Sequence, residues 1–99
     1  MSSEEEKAII GGLVVEHGEV KRRIVALESE LGKIGSIFEH LGRAFMQPAR
    51  MVQQRDEFEK NLSALPERQH VIDLIEELQT AKRRKDELTK SIKECGIDI

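Results

Sequence analysis

The feature that most constrains this fold is an apolar repeat through the first half of the chain. Side chains alternate at spacings of three and four residues over eleven positions, ten of them apolar. A sustained period of 3.5 residues keeps one edge of an α-helix against a partner helix and implies left-handed supercoiling. The sequence therefore predicts a long amphipathic helix. The repeat, here called the seam, consists of Ile10, Leu13, His17, Val20, Ile24, Leu27, Leu31, Ile34, Phe38, Leu41 and Phe45.

Local signals predict where this first helix begins and ends. Ser3 and Glu6 have the spacing of a capping box, which predicts a start near residue 4. Pro48 lacks an N–H and clashes with the preceding turn, so the helix must kink or stop there. We predict a helix over 4–47, a kink at 48 and a helical segment over 49–62. The pattern leaves open whether that segment is a kinked extension or a separate helix.

A second apolar repeat predicts a final helix over 66–95. Asn61, Ser63 and Pro66 are residue types of a turn followed by a helix start, so we place the chain reversal near 61–66. Gly96 is a natural helix stop. In this register Cys95 is predicted to be a small buried hydrophobe. The predicted apolar face consists of Val71, Leu74, Leu78, Ala81, Leu88, Ile92 and Cys95, widened by Ile75 and interrupted by Lys85.

Composition agrees with one all-α domain over residues 1–99. The chain is 35% charged and 3% aromatic, with two prolines and no Trp or Tyr, which is typical of long helices. No apolar run approaches the roughly 20 residues needed to span a bilayer. The single cysteine cannot form an internal disulfide, and the first residues do not resemble a secretory signal. We therefore expect a soluble cytoplasmic protein that is not bound to a membrane.

The two predicted helices differ in length. At 1.5 Å per residue, 4–47 spans roughly 66 Å and 66–95 roughly 45 Å. If the last helix folds back from a turn near 61–66, residues 5–30 receive no cover from their own chain. Leaving six large apolar side chains in water would forgo on the order of 10 kcal/mol. The sequence therefore predicts that a second chain covers this part of the first helix.

Glycines beside the seam extend this prediction. Gly35 and Gly42 lie one heptad apart on the same side of it, where each costs about 1 kcal/mol relative to alanine unless another helix packs against the bare backbone. The expected fold is a coiled-coil-like helical hairpin that assembles into a homodimeric or tetrameric bundle. Gly11, Gly12, Gly18 and Gly32 lie at outer positions, where this explanation fails. The predicted interface residues are Ile10, Leu13, His17, Val20, Ile24, Leu27, Leu31, Ile34, Gly35 and Gly42.

The chain shows no catalytic apparatus. It has no P-loop, no serine nucleophile elbow and no HExxH motif. We therefore predict a non-enzymatic, cofactor-free interaction or oligomerisation module, a scaffold or adaptor that binds itself or another helical protein. Glu67 and His70 have the Glu-x-x-His spacing of di-iron bundles, but no second pair accompanies them, so no metal site is predicted.

His17 is the one polar residue of the seam. It could fix the register of the partner helices or act as a pH-sensitive contact. The plainer interpretation, which we favour, is a neutral imidazole hydrogen-bonded to a neighbouring glutamate.

Two basic clusters support an alternative function, a nucleic-acid-binding hairpin. Lys and Arg side chains that line a groove displace counterions from phosphates. However, the net charge is -3, and residues 66–95 carry seven basic and seven acidic side chains. Without Tyr or Trp there is little on which a base could stack. We favour the interaction module over this alternative, whose candidate residues are Lys21, Arg22, Arg23, Lys82, Arg83, Arg84 and Lys85.

Overall fold

The computed structural model describes residues 3–97, and it describes side chains from residue 4 onward. This part of the chain contains helices and no strand. The helices are α1 (Ser3–Met46), α2 (Pro48–Gln53), α3 (Arg55–Ser63) and α4 (Arg68–Glu94). The prediction of an all-α helical hairpin is confirmed. The Ser3 side chain, and with it the predicted capping box, lies outside the described residues.

Pro48 ends α1 as expected. The helix stops at Met46, and Gln47 leaves the helical region with φ -131° and ψ 72°. Pro48 then occupies the first position of α2, where its missing N–H removes no hydrogen bond. A second break at Gln54, with φ -111° and ψ 38°, separates α2 from α3. The predicted segment over 49–62 is therefore two short helices and no continuation of α1.

The chain reverses through α2, and the prediction of a reversal near 61–66 is wrong. The ring of Phe58 in α3 meets that of Phe45 in α1 edge to face, with centroids 5.5 Å apart. Helix α3 therefore already runs back along α1. The connection over 64–67 leads in the same direction into α4. After a proline break, the direction of the next helix depends on which apolar faces pack together, and local turn signals do not specify that.

Helix α4 covers the part of α1 that was expected to lack cover. The His17 imidazole and the Thr89 hydroxyl are 3.0 Å apart, and Arg84 forms an ion pair with Glu16. Helix α3 packs against the last turns of α1. Helix α4, which follows α3, therefore packs against the earlier turns. The prediction that 5–30 receives no cover within the chain is therefore wrong, and its error follows from the misplaced reversal.

The core is a single line of side chains between α1 and the returning arm, which consists of α3 and α4. Each of its six members is at most 7% exposed, and burial of each such side chain stabilises the fold by about 1.5–3 kcal/mol. The molecule measures 72 × 23 × 16 Å, so it is a rod only two helices thick. All six members are residues of the predicted repeats: Ile24, Leu27, Leu41, Leu74, Leu88 and Ile92.

The end of α4 confirms one prediction and overturns another. Gly96 adopts a positive φ of 84°, and its N–H donates to the carbonyl of Lys93 over 2.9 Å, so it is the predicted stop. Cys95, predicted to be buried, is exposed. It is the C-cap residue with ψ 2°, so the helical repeat no longer governs where its side chain points. Ile75 is also exposed and does not widen the buried face.

Candidate functional site

Helix α1 carries two different surfaces on either side of the seam. Successive residues of a helix are about 100° apart, so the residues just before and just after the seam positions face opposite ways. The paired flank precedes the seam and consists of Ile9, Gly12, Glu16, Glu19, Arg23, Ala26, Glu30, Lys33, Ile37, His40 and Ala44. The open flank follows it and consists of Gly11, Val14, Gly18, Lys21, Val25, Glu28, Gly32, Gly35, Glu39, Gly42 and Met46.

Three charged side chains of the paired flank contact α4. Both carboxylate oxygens of Glu16 accept hydrogen bonds from the Arg84 guanidinium, at 2.9 and 3.0 Å. Arg23 forms an ion pair with Glu77 one heptad further along α1. Glu30 follows after another heptad and lies 3.2 Å from the His70 imidazole. The three contacts recur at seven-residue intervals and fix the antiparallel register of α1 and α4.

The Glu16–Arg84 contact also changes the acidity of both groups. Hydrogen bonding to Arg84 lowers the pKa of the Glu16 carboxyl below its ordinary value. The same bond, helped by one to Glu87, raises the pKa of the Arg84 guanidinium. Both side chains are about half exposed, so this pair orients α4 more than it stabilises the rod.

No other helix covers the open flank within the described residues. A Cβ added at Gly11, Gly32, Gly35 or Gly42 would meet no further heavy atom within 4 Å. At Gly18 an added Cβ would meet only the end of the Arg22 side chain, at 3.7 Å. No helix within the hairpin therefore approaches closely enough to require glycine at these positions. Gly11, Gly32, Gly35 and Gly42 are exposed to solvent, and Gly18 is half-buried.

Apolar side chains interrupt this glycine surface. Val25 lies at its centre and is 66% exposed, and Val14 is also exposed. The neighbouring seam residues Phe38 and Phe45 are 56% and 62% exposed, although the other seam residues are buried or half-buried. Sequence reasoning identified only Gly35 and Gly42 on this surface. The repeat displaced by one residue from the seam was the signal that could have identified the others.

Most predicted interface residues already have a partner inside the chain. Ile24 and Leu27 are buried, and the remaining predicted seam residues are half-buried on the face of α1 that contacts the returning arm. The sequence predicted that a second chain covers this apolar face of α1. In the structure α3 and α4 of the same chain cover it. His17 interacts with Thr89 and not with the expected glutamate. The half-buried residues are Ile10, Leu13, His17, Val20, Leu31 and Ile34. Nothing in the structure explains Gly12.

The two basic clusters are partly used in the fold. Arg23 and Arg84 pair with glutamates across the hairpin, and Lys85 is half-buried within the apolar repeat of α4. The exposed remainder is one Lys–Arg pair on each arm. These pairs are Lys21 with Arg22, and Lys82 with Arg83.

The tip of the hairpin contains a small cleft of about 190 Å³ between α1, α2 and α3. Arg43, Arg50 and Glu57 line it together with the apolar side chains of Met51 and Phe58. Arg43 also pairs with Glu39 over 2.6 Å. The cleft therefore mixes both charge signs with apolar surface and shows no single chemical preference.

The described residues offer no group of three or more ligands that could hold a metal ion. In the predicted Glu67–His70 pair, the imidazole lies against Glu30 instead. None of the helices in this part of the chain is long and apolar enough to cross a membrane.

Comparison with known proteins gives no match. No protein-family model matches this sequence, and no curated protein and no solved structure matches it.

Proposed function

We propose that this protein is a non-enzymatic interaction module that self-associates through the open flank of α1. The observation that supports this proposal is the run of five glycines on that flank, with no contact in the hairpin that needs them. Each helical glycine costs about 1 kcal/mol relative to alanine, so the isolated rod would be more stable without them. A helix packed against bare backbone would give them a role.

Exposed apolar side chains on the same side favour a protein partner. Val25, Phe38 and Phe45 are all more than half exposed. Phe38 and Phe45 lie on the edge of the seam next to Gly35 and Gly42, so one partner helix could cover rings and glycines together. Large exposed apolar side chains on one side of a helix favour a protein partner.

The position of the open flank suits a helical bundle. It lies about 100° around α1 from the seam, and a helix in a four-helix bundle contacts its two neighbours at about a right angle. Two hairpins joined at their open flanks would place four helices around a shared interior. This gives the predicted homodimeric bundle a surface that α4 leaves free.

Molar mass in solution, measured by sedimentation equilibrium over a range of concentrations, tests the proposal. The wild-type mass should rise from the 11.3 kDa of one chain toward twice that value. Val25→Glu should weaken self-association at least tenfold, because it places a charge in the centre of the contact. Val15→Glu is the matched control, since Val15 is 59% exposed and lies on neither flank. A single-chain mass at every concentration would contradict the proposal.

The nucleic-acid alternative has support only from the exposed pairs Lys21–Arg22 and Lys82–Arg83. It predicts retention on RNA or DNA that falls steeply with added salt, because phosphate binding releases counterions. Replacing Arg22, Lys82 and Arg83 by glutamine, and keeping Lys21 because it lies on the open flank, should strongly reduce that retention and leave self-association unchanged.

A further inference from the structure

We infer that two copies pair antiparallel through their open flanks, with a twofold axis beside Val25. This inference rests on the proposed self-association and specifies its geometry. Val25 lies in the middle of the flank, and the residues on either side of it are complementary in charge and in size. The occupant of the open flank is then a second copy of the same surface, which is an isologous contact.

Charge selects the antiparallel direction. Rotation about Val25 brings Lys21 of each copy within one residue, about 1.5 Å along the axis, of the level of Glu28 of the other, so the same attraction occurs twice. Both side chains are exposed, and neither has an ion-pair partner among residues 4–97. A parallel, in-register pair would instead oppose lysine to lysine and glutamate to glutamate. Juxtaposed like charges disfavour that arrangement.

Side-chain size gives the same result. In the antiparallel register Val14 of one copy lies within one residue, about 1.5 Å, of the level of Gly35 of the other, so each valine faces bare backbone. Gly18 lies opposite Gly32, which allows the two backbones to approach closely. A parallel pair would place valine against valine and leave a gap between opposed glycines. The antiparallel order fills space more evenly, as close-packed protein contacts require.

The size of the contact indicates a weak dimer. The complementary positions from Gly11 to Glu39 extend over roughly 42 Å, and a helix contact is about 10 Å wide. This strip is smaller than the standard interface of about 800 Å² per partner. We therefore expect dissociation within the concentration range that sedimentation measures.

Disulfide trapping of the 99-residue chain tests the register. All variants carry Cys95→Ser, which removes the exposed native thiol. Val25→Cys should form a disulfide between copies, because the two residues meet at the axis. Val14→Cys should not, since its two copies would lie roughly 33 Å apart, whereas a disulfide joins Cα atoms about 4.4–6.8 Å apart. A mixture of Val14→Cys and Gly35→Cys chains should cross-link, and the off-flank control Val15→Cys should not.

Charge exchange is an independent test. Lys21→Glu or Glu28→Lys should each raise the dissociation constant about tenfold, equivalent to about 1.4 kcal/mol, because each places like charges opposite one another twice. The double variant Lys21→Glu/Glu28→Lys should restore wild-type affinity. In a parallel dimer neither single change would matter, since like charges already face each other there.

The outcomes separate this inference from the proposed function. Concentration-dependent mass with self-cross-linking of Val14→Cys would overturn the antiparallel register and leave self-association intact. Concentration-dependent mass with unchanged affinity in both single charge variants would do the same. A single-chain mass at all concentrations would overturn both, and the open flank would then belong to a different protein.

Discussion

The two flanks of α1 lie one residue either side of the same seam and have opposite chemistry. The paired flank presents Glu16, Arg23 and Glu30 at heptad spacing, and each meets a side chain of α4. The open flank presents glycine or valine at most of the equivalent heights and meets no other helix within the described residues. The seam determines that α1 must have a partner. The residues beside it determine on which sides partners fit.

The largest expected effect separates the core from the open flank. Leu88→Ala should lower the free energy of unfolding by about 2–5 kcal/mol, because Leu88 is 1% exposed and its loss leaves a cavity. Val25→Ala on the open flank should change it by less than about 0.5 kcal/mol. Urea denaturation at low protein concentration measures both, and equal losses would show that the flank is covered in the single chain.

Glycine replacement should act in opposite directions on folding and on association. Gly18→Ala with Gly32→Ala should stabilise the isolated hairpin by about 2 kcal/mol in total, because alanine favours the helix and fits the free space. The same pair of changes should weaken dimerisation, since the added methyl groups separate the backbones.

Gly12→Ala is the matched control for this experiment. Gly12 lies on the paired flank with nothing within 4 Å of an added Cβ. Its replacement should stabilise the hairpin by about 1 kcal/mol and leave the dissociation constant unchanged. If the open-flank changes also left that constant unchanged, the glycines would not serve close approach.

A smaller effect is expected at the one polar seam position. Thr89→Val removes the hydroxyl 3.0 Å from the His17 imidazole and leaves that half-buried nitrogen without its partner. The cost should be about 1 kcal/mol of unfolding free energy. Thr80→Val, at an exposed position of α4, should have almost no effect. Thermal denaturation compares the two variants. Equal changes in Tm would mean that the His17–Thr89 contact contributes nothing to stability.

The smallest effect belongs to the paired flank and depends on pH. Arg84 lowers the pKa of Glu16, so the contribution of this pair is present above the ordinary carboxyl value of 4.5 and is lost as the pH falls through the lowered pKa. Glu16→Gln should slightly lower Tm at neutral pH. The difference from wild type should vanish in acid, and also in high salt.

Glu19→Gln is the control, because Glu19 is exposed on the same flank and has no ion-pair partner in the described chain. A difference between wild type and Glu16→Gln that persisted well below pH 4.5 would show that the carboxylate charge is not responsible.

The sequence predicted the helices and the core well because both depend on periodicity. All six buried residues belong to the predicted repeats, and α1 and α4 begin and end within two residues of the predicted bounds. The reversal was misplaced because the contact of Phe45 with Phe58 decides it, and that contact joins distant residues. Cys95 was misplaced because it lies at the C-cap.

The candidate site was predicted only in part, for a related reason. A repeat such as Ile10 to Ile34 shows that a face is buried, but it does not say whether the partner is α4 or another chain. Gly35 and Gly42 were placed correctly beside the seam, and the structure leaves both exposed to solvent. Gly11, Gly18 and Gly32 join them once the seam is known to be occupied.

The position of Val25 has a consequence for the tips of the rods. It lies at the midpoint of α1, which runs from Ser3 to Met46. Two rods paired antiparallel about this point would overlap along their whole length and carry their clefts at opposite poles. The Arg43 side chains at the two poles would stand roughly 55 Å apart. Such a dimer would hold its two identical clefts at a fixed separation.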